Sequence, residues 1–362
     1  MKYQKRIKKS KESIFNKWVN LFWKFIINNE DKSLDWGEIS RNPNINWNII
    51  KNNLDKPWDW MMVSQNINIT WDIIQSNPDI DWDWKAISCN EIITMEIIKD
   101  NIDKEWSWYD ISYNPNLTWE MIQEYPDKPW NWEFVSQNQN ITWEIVQKNP
   151  DKEWNWNHLS YNPNITFDII KNNPEKNWSN QMLSYNPNIT MQIMKDNPDR
   201  CWELRKFITN PNITLNDIRN NQEFFFGSWD DLKVSRTPHI TLDFIHEMNG
   251  RWWNWAVITR APNITWDIIL MNPNEPWELE FFSENPNITI DIITDNPENP
   301  WDWEKISENE FTKQKNDFIV EQYMRHLMAF RIQYRWKNAL VNPNCQIGIS
   351  KIGRDMEFAG IE

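Results

Sequence analysis

The chain has 362 residues, a mass of 44.2 kDa and a net charge of −14 at neutral pH. With 28 Trp and only 6 Gly, it has too few glycines for a phosphate-binding loop, a dinucleotide-binding turn and the bends of a large sheet together. A hydrophobic fraction of 40% is typical of a folded chain. The three cysteines are widely spaced without a CxxC pair, which argues against a disulfide framework or a structural zinc site.

Residues 1–33 are predicted to form a basic N-terminal capping helix. Its amphipathic part, residues 13–27, places Trp18, Phe22 and Phe25 on one face, where they can cover the first repeat, and lysines outside. Lysines and an asparagine interrupt the apolar residues, so the segment does not fit a secretory signal. Because no stretch approaches the roughly 18 apolar residues of a membrane span, we expect a soluble protein that is not secreted.

Residues 34–310 form a tandem repeat with a period of 24 residues. The segment NPNLTWEMIQEYPDKPWNWEFVSQ at 114–137 is one of eleven copies in register, with one longer step of 27 residues between Pro211 and Pro238. A fixed period of this length is typical of solenoids and propellers, but propeller blades need about 40 residues with alternating strands. The apolar spacing here is helical. The predicted fold is therefore all-α, an α-solenoid of about eleven two-helix repeats.

Each repeat is predicted to contain two short helices. In the copy that begins at Asn66, Thr70 is the candidate N-cap of the first helix, and Ile69 and Ile74 have the spacing of a hydrophobic staple. The W-x-W-x-x-I-S string predicts the second helix, and an Asn-Pro pair ends each one. Such short helices depend on their neighbours for stability. Eleven layers spaced roughly 8–10 Å apart predict an array on the order of 100 Å long.

The tryptophans are predicted to form a stacked structural ladder rather than a ligand-binding cage. A 24-residue unit is too small to bury an aliphatic core of its own, and Trp supplies a large contact area at low rotamer entropy. The residues predicted to stack are Trp58, Trp60, Trp82, Trp84, Trp106, Trp108, Trp130, Trp132, Trp154 and Trp156.

No catalytic, metal or cofactor site is expected. The four histidines stand at unrelated positions of the chain, and no copy gains a Cys–His–Asp set. The abundant carboxylates stand at cap and loop positions common to all copies. The Asn-x-Thr triplets are interpreted as loop and cap residues rather than glycosylation acceptors, because no secretion signal accompanies them. These observations favour a non-enzymatic protein.

Departures from the period mark candidate contact residues. The three extra residues fall in the loop NQEFFFGSWDD, where Phe224, Phe225 and Phe226 are adjacent. Clustered exposed aromatics are typical of contact sites, although phenylalanines that fill a gap at a bend of the stack explain the loop equally well. Trp252, in the next copy's loop, is a further candidate.

Residues 311–362 are predicted to form a basic helical cap and tail, with Arg331 and Arg335 as candidate contact residues. The string IQYRW at 332–336 resembles part of a calmodulin-binding IQ motif, but its downstream glycine and basic residue are missing. A cap with a basic anchor is therefore preferred.

The charge is unevenly distributed. Residues 1–28 carry +7 and residues 313–362 carry +3, which leaves −24 for the body between them. An acidic body repels phosphate backbones, so nucleic acid is an unlikely partner for the repeats. Only the two basic ends suit an anionic partner.

The string NPNxT followed by NPDxxW resembles the leucine-rich variant repeat, which also uses 24 residues. That family stacks alternating α- and 3₁₀-helices into a curved superhelix, so the resemblance implies that one helix per repeat can be 3₁₀. This chain replaces many leucines with Trp and Ile, and it lacks the cysteine cluster of the family's iron–sulfur domain. A redox cofactor is therefore not implied.

The NPNITWDII…NPDKPWDW array is also similar to tandem-repeat proteins of Mimivirus-like giant DNA viruses, and residues 330–358 are similar to a basic C-terminal module of those viruses. The resemblance implies an interaction scaffold or structural repeat protein that binds a viral or host protein, in the host cytoplasm or in the virion. The alternative is a host-directed adaptor or decoy whose basic tail binds an anionic or calmodulin-like partner. The oligomeric state stays open.

Overall fold

The computed structural model confirms an all-α repeat solenoid. Within the part of the chain that it describes, every regular element is a helix. The described residues are 2–203, 207–222, 234–237, 239–248 and 252–341. The predicted contact loop at Phe224, Phe225 and Phe226 lies outside them.

Each repeat unit contains a first helix, here the A helix, and a second helix, here the B helix. The described A helices are Trp47–Asn52, Trp71–Ser76, Met95–Asp100, Trp119–Glu124, Trp143–Lys148, Phe167–Asn172, Met191–Asp196, Leu215–Asn220, Leu242–Glu247, Trp266–Met271 and Ile290–Asp295. The described B helices are Trp36–Arg41, Trp60–Gln65, Trp84–Cys89, Trp108–Ile111, Trp132–Gln137, Trp156–Tyr161, Asn180–Leu183, Trp255–Thr259, Leu279–Glu284 and Trp303–Glu308. Of these, Leu279–Glu284 is a 3₁₀-helix and the others are α-helices.

Side-chain caps begin both kinds of helix. Thr94 stands at the N-cap of its A helix and accepts a hydrogen bond from Ile97 N. Thr70 also occupies an N-cap, but its side chain makes no capping bond. All of the described B helices except Leu279–Glu284 are capped by the polar residue before their first position, as where Asp59 accepts from Met62 N. The sequence interpretation missed this second cap, which explains why that position is Asp, Asn or Ser in most units.

The tryptophans of neighbouring units pack on one another. Trp108 of one unit meets Trp130 of the next edge to face, with ring centroids 5.1 Å apart and an interplanar angle of 85°. Trp130 Nε1 also donates a 2.8 Å hydrogen bond to the carbonyl oxygen of Tyr125. Of the ten tryptophans predicted to stack, six are buried, namely Trp58, Trp82, Trp106, Trp108, Trp130 and Trp154. The other four are half-buried against the same core, namely Trp60, Trp84, Trp132 and Trp156.

Asparagine side chains bond consecutive units together. Asn66 Nδ2 donates to the carbonyl oxygens of Ser40 and Asn42 in the preceding unit, at 2.9 and 3.1 Å. Asn68 Nδ2 donates in the same way to Pro43 O at 3.0 Å. These amides satisfy buried backbone carbonyls that no helix pairs. The Asn residues of the Asn-x-Thr triplets are therefore structural parts of the stack.

The first and last units bond to each other, so the solenoid closes into a ring. Asp35 N donates to Ser307 Oγ at 3.0 Å, and Asn42 Nδ2 donates to the carbonyl oxygens of Ser307 and Asn309 at 3.0 and 3.1 Å. These are the bonds that join neighbouring units elsewhere. The predicted open array on the order of 100 Å long is therefore wrong. Twelve B-helix positions spaced roughly 8–10 Å apart trace a circle on the order of 35 Å across.

The last turns of the N-terminal helix, Lys2–Asn28, supply the A helix of the first unit. Trp23 stacks on Trp58 with centroids 5.7 Å apart, as Trp71 of a regular A helix stacks on Trp106 at 5.7 Å. This A helix and the eleven others make a ring of twelve units.

The C-terminal helix, Thr312–Val341, begins where another A helix would follow, but the N-terminal helix already occupies that place. The chain turns at buried Phe311, which has a φ of 49°. The C-terminal helix then packs antiparallel to the N-terminal one, with the rings of Phe318 and Trp18 at 5.7 Å. The two helices predicted to cap opposite ends of an array thus lie together across the seam of the ring.

Candidate interaction surface

The B helices form the inner circumference of the ring. Apart from the two terminal helices, the closest helix pairs in the described part of the chain are consecutive B helices. The A helices therefore lie on the outer circumference, where the units spread apart. Stacking uses the first, fourth and fifth positions of each B helix, which in most copies are Trp, an aliphatic residue (most often Ile) and Ser. The second, third and sixth positions differ between copies, so the side chains at these positions give each unit its own surface.

A cluster of aromatic side chains lies on consecutive B helices. Phe134 contacts Tyr109 and Tyr113, with ring centroids 5.5 and 5.3 Å apart. Tyr161 meets Tyr185 edge to face at 6.3 Å. Tyr109 and Tyr113 are nevertheless 54% and 59% exposed. We call these five residues and the cavities beside them the aromatic groove.

Two adjoining cavities run along these side chains. The larger, of about 580 Å³, extends from Gln65 to Tyr161, and the smaller, of about 300 Å³, extends from Gln137 to Tyr185. Both are lined by Gln137 and Tyr161, so they form one continuous groove. Among the carboxylate and ammonium side chains, only that of Glu91 lines either cavity. The groove is therefore a nearly uncharged strip on a strongly acidic protein.

The smaller cavity is lined by a histidine that has one polar atom without a hydrogen-bond partner. The His158 side chain lines the cavity together with Met182, and its Nδ1 is buried and makes no hydrogen bond. A buried polar atom without a partner lowers the stability of the fold locally.

Cys89 lines the larger cavity. Burial raises the pKa of the Cys89 thiol above its ordinary value, and the carboxylate of Asp110 raises this pKa further. The thiol is therefore protonated and poorly nucleophilic at neutral pH.

The sequence contained a signal for this groove that the repeat analysis did not use. Three copies replace the proline of the Asn-Pro-Asn motif, at Ile67, Glu91 and Gln139, and all three replacements line the larger cavity. Tyr also recurs at the sixth B-helix position in three of four consecutive units, at Tyr113, Tyr161 and Tyr185. When residues that depart from the repeat lie close together in the structure, they mark a surface whose composition is not required for folding.

The inner surface away from the groove is charged. Arg260 Nη1 lies 2.9 Å from Glu284 Oε2, and the two residues occupy the sixth positions of adjacent B segments. Across the seam, Arg41 lies 3.7 Å from Glu308 at the same positions. These exposed pairs contribute little stability each. They divide the inner surface into an aromatic part and a part of paired charges.

The contact residues predicted from the sequence are not brought together with the aromatic groove. Trp252 is 79% exposed, but it precedes the B helix Trp255–Thr259, outside the units that form the groove. Arg331 is exposed on the C-terminal helix. Arg335 lies one turn further along that helix, and its side chain is outside the described part.

Comparison with known proteins assigns neither a family nor a function to this chain. Models of known protein families give no match to this chain, and a search of the curated proteins finds no similar sequence. Among the described residues, no group of three or more His, Cys, Asp or Glu side chains is placed to hold a metal ion. The helices of that part include none with the length and apolar character that crossing a membrane requires.

Proposed function

We propose that this protein is a non-enzymatic protein–protein interaction scaffold whose ring holds an extended segment of another protein in the aromatic groove. The exposure of Tyr109 and Tyr113 beside Phe134 carries this proposal. Most aromatic side chains of the repeats are committed to the stack, whereas these two tyrosines leave more than half of their surface to solvent. Tyr is enriched at interfaces because it combines a large apolar area with a polar tip.

The composition of the groove supports a partner segment of low charge. Gln65, Gln137 and Gln139 line the larger cavity. Side-chain amides can donate to and accept from a peptide backbone, while the tyrosine rings contact its side chains. Glu91 is the only carboxylate or ammonium residue in the lining of the larger cavity.

The spacing of the B helices supports an extended conformation for that segment. Neighbouring helices pack roughly 8–10 Å apart, and a polyproline II helix advances about 9 Å per turn of three residues. Every third residue of a segment in this conformation would meet the next B helix. Aromatic-lined grooves recognise proline-rich segments in this way.

Binding of defined peptides tests the proposal. Peptides selected from a displayed random library against the whole ring are measured by fluorescence polarisation with three proteins: wild type, Tyr113→Ala/Phe134→Ala and Leu270→Ala. Leu270 is the control because it is 60% exposed on an A helix away from the groove. We expect the double variant to bind at least about tenfold more weakly, equivalent to about 1.4 kcal/mol, with an unchanged melting temperature. Equal affinity for all three proteins would refute the proposal.

We further propose that the protein acts in the cytoplasm of a host cell infected by a giant virus, or inside the virus particle. The repeat string and the basic tail of residues 330–358, which resemble proteins of those viruses, support this location. Quantitative mass spectrometry of purified virions and of infected-cell fractions distinguishes the two places. Absence of the protein from both would refute the viral assignment.

A further inference from the structure

The C-terminal helix carries a stripe of exposed apolar side chains. Val320, Met324, Leu327 and Met328 are 62%, 48%, 38% and 53% exposed, and their spacing of three and four residues places them on one face of the helix. We call these four residues the apolar stripe. Tyr334, which is 60% exposed, lies seven residues after Leu327 on the same face, and Arg331 occupies the position between them. An apolar repeat of about 3.5 residues is typical of a helix that pairs with another helix.

The apolar stripe points away from the N-terminal helix, the helix on which the C-terminal helix packs. The opposite face of the C-terminal helix contacts the N-terminal helix through Phe318, which packs on Trp18, and Gln322, which accepts a hydrogen bond from Lys17 at 3.4 Å. Phe318 and Val320 are two residues apart, which corresponds to about 200° around an α-helix. The contact with the N-terminal helix therefore leaves the stripe uncovered.

The charges that flank the stripe are arranged to complement a second copy of the same helix. Asp317 precedes it, Glu321 lies next to its first residue, Val320, and Arg331 follows it; all three are exposed. In an antiparallel pair centred at residue 326, Glu321 lies opposite Arg331 of the second copy. Met324 then lies opposite Met328 of the second copy, so apolar side chains meet in the middle and opposite charges meet at the ends.

A parallel pair in register lacks this complementarity. It would place Arg331 opposite Arg331 of the second copy and Asp317 opposite Asp317, and like charges across a helix pair are unfavourable. In the single chain, Glu321 already bonds Arg325 at 2.7 Å, but both side chains are more than half exposed. Such a pair contributes little and does not prevent Glu321 from meeting a second arginine.

We propose that two copies of this protein associate through their C-terminal helices, which pair antiparallel along the apolar stripe. The partner is a second copy because the helix supplies both the acidic and the basic half of the charge pattern. The two rings are then joined at their seams, and their aromatic grooves remain accessible. This inference rests on the C-terminal helix alone and is independent of the proposed peptide binding.

Sedimentation velocity of the full chain over a hundredfold range of micromolar concentrations tests this pairing. We expect wild type to show a monomer–dimer equilibrium, and Met324→Glu/Met328→Glu to weaken dimerisation at least about tenfold. Leu270→Glu is the matched control, since it places a carboxylate at a residue that is 60% exposed outside the stripe, and it should dimerise like wild type. A wild-type chain that stays monomeric throughout the range would overturn the proposal.

A charge exchange tests the orientation. Glu321→Arg and Arg331→Glu should each weaken dimerisation, because each places like charges opposite one another in the antiparallel pair. The combined variant should restore the wild-type dimer. Failure of the combined variant to recover would overturn the antiparallel arrangement. If wild type stays monomeric but binds calmodulin, used as an acidic probe, through the same stripe, self-association is wrong and the helix serves an adaptor role.

Discussion

The backbone N–H of Asp35 donates a 3.0 Å hydrogen bond to Ser307 Oγ across 272 residues of sequence. Asp59 N makes the same bond to Ser40 Oγ at 3.0 Å between consecutive units. The seam thus uses the bond that stacks neighbouring units, and the first unit behaves as the successor of the last. A ring closed in this way exposes no terminal repeat face, so the edge that an open solenoid must cover with a polar cap is absent.

Thiol cross-linking tests the closure directly. The ends of the Arg41 and Glu308 side chains lie 3.7 Å apart across the seam, so a short bis-maleimide should bridge the two thiols of Arg41→Cys/Glu308→Cys within one chain when the three native cysteines are replaced by serine. Mass spectrometry of proteolytic fragments detects the cross-link. The control is Arg41→Cys/Glu284→Cys, which moves the second cysteine one unit further around the ring and should cross-link poorly. Absence of an intramolecular cross-link in the first variant would contradict a closed ring.

Buried asparagines at the seam and in the middle of the chain should contribute equally to the free energy of unfolding. Asn42 bonds Ser307 and Asn309 as described above, and Asn162 donates to Ser136 O and Asn138 O at 2.9 and 3.0 Å. Each Asn→Ala change leaves buried carbonyls without a donor, so each should lower the free energy of unfolding by about 1–3 kcal/mol. Urea denaturation measures both.

In an open array, Asn42 would keep only its local bond from Asn44 N, and its substitution would cost clearly less than that of Asn162. Asn157→Ala, at an exposed position, is the control for the loss of an amide and should change stability little. A neutral Asn42→Ala beside a destabilising Asn162→Ala would therefore argue against closure.

Loss of one stacked tryptophan should destabilise the neighbouring units more than distant ones. Trp130 is 8% exposed and packs on Trp108, so Trp130→Ala should cost roughly 3–5 kcal/mol. Trp130→Phe keeps an aromatic ring but loses the bond to Tyr125 O, so it should cost less. Hydrogen exchange should accelerate most in the units on either side of Trp130 and least across the ring. A uniform increase around the whole ring would be inconsistent with nearest-neighbour stacking.

Cys89 should react slowly with thiol reagents at neutral pH. Burial and Asp110 both raise its pKa, so the reactive thiolate is scarce until the pH rises. Iodoacetamide labelling followed by mass spectrometry should show Cys89 modified more slowly than Cys201, which is exposed, and its rate should increase steeply at alkaline pH. A peptide bound in the aromatic groove should protect Cys89 further. Equal rates for the two thiols at neutral pH would contradict the burial of Cys89.

The sequence shows which side chains differ between copies, but it does not show that those of the aromatic groove lie together. The tyrosines at 113, 161 and 185 recur at intervals of 48 and 24 residues, two units and one, yet a sixth helix position can face either the core or solvent. Only the inward placement of the B helices shows that these side chains share one groove. The sequence interpretation instead chose Trp252, which is exposed but lies outside that groove.

The repeat sequence by itself determined the units of this protein. Caps such as Thr94, the Asn-Pro breaks and the paired tryptophans act within one unit or between neighbours, so their spacing in the chain is sufficient to predict them. Closure was decided only by the tertiary structure. Twelve units complete a circle when each turns by about 30°, and this angle depends on how closely the B helices pack relative to the A helices. A difference of a few degrees per unit would separate Asp35 from Ser307. Such small differences in packing add up over all the units, and no local sequence motif specifies the resulting angle.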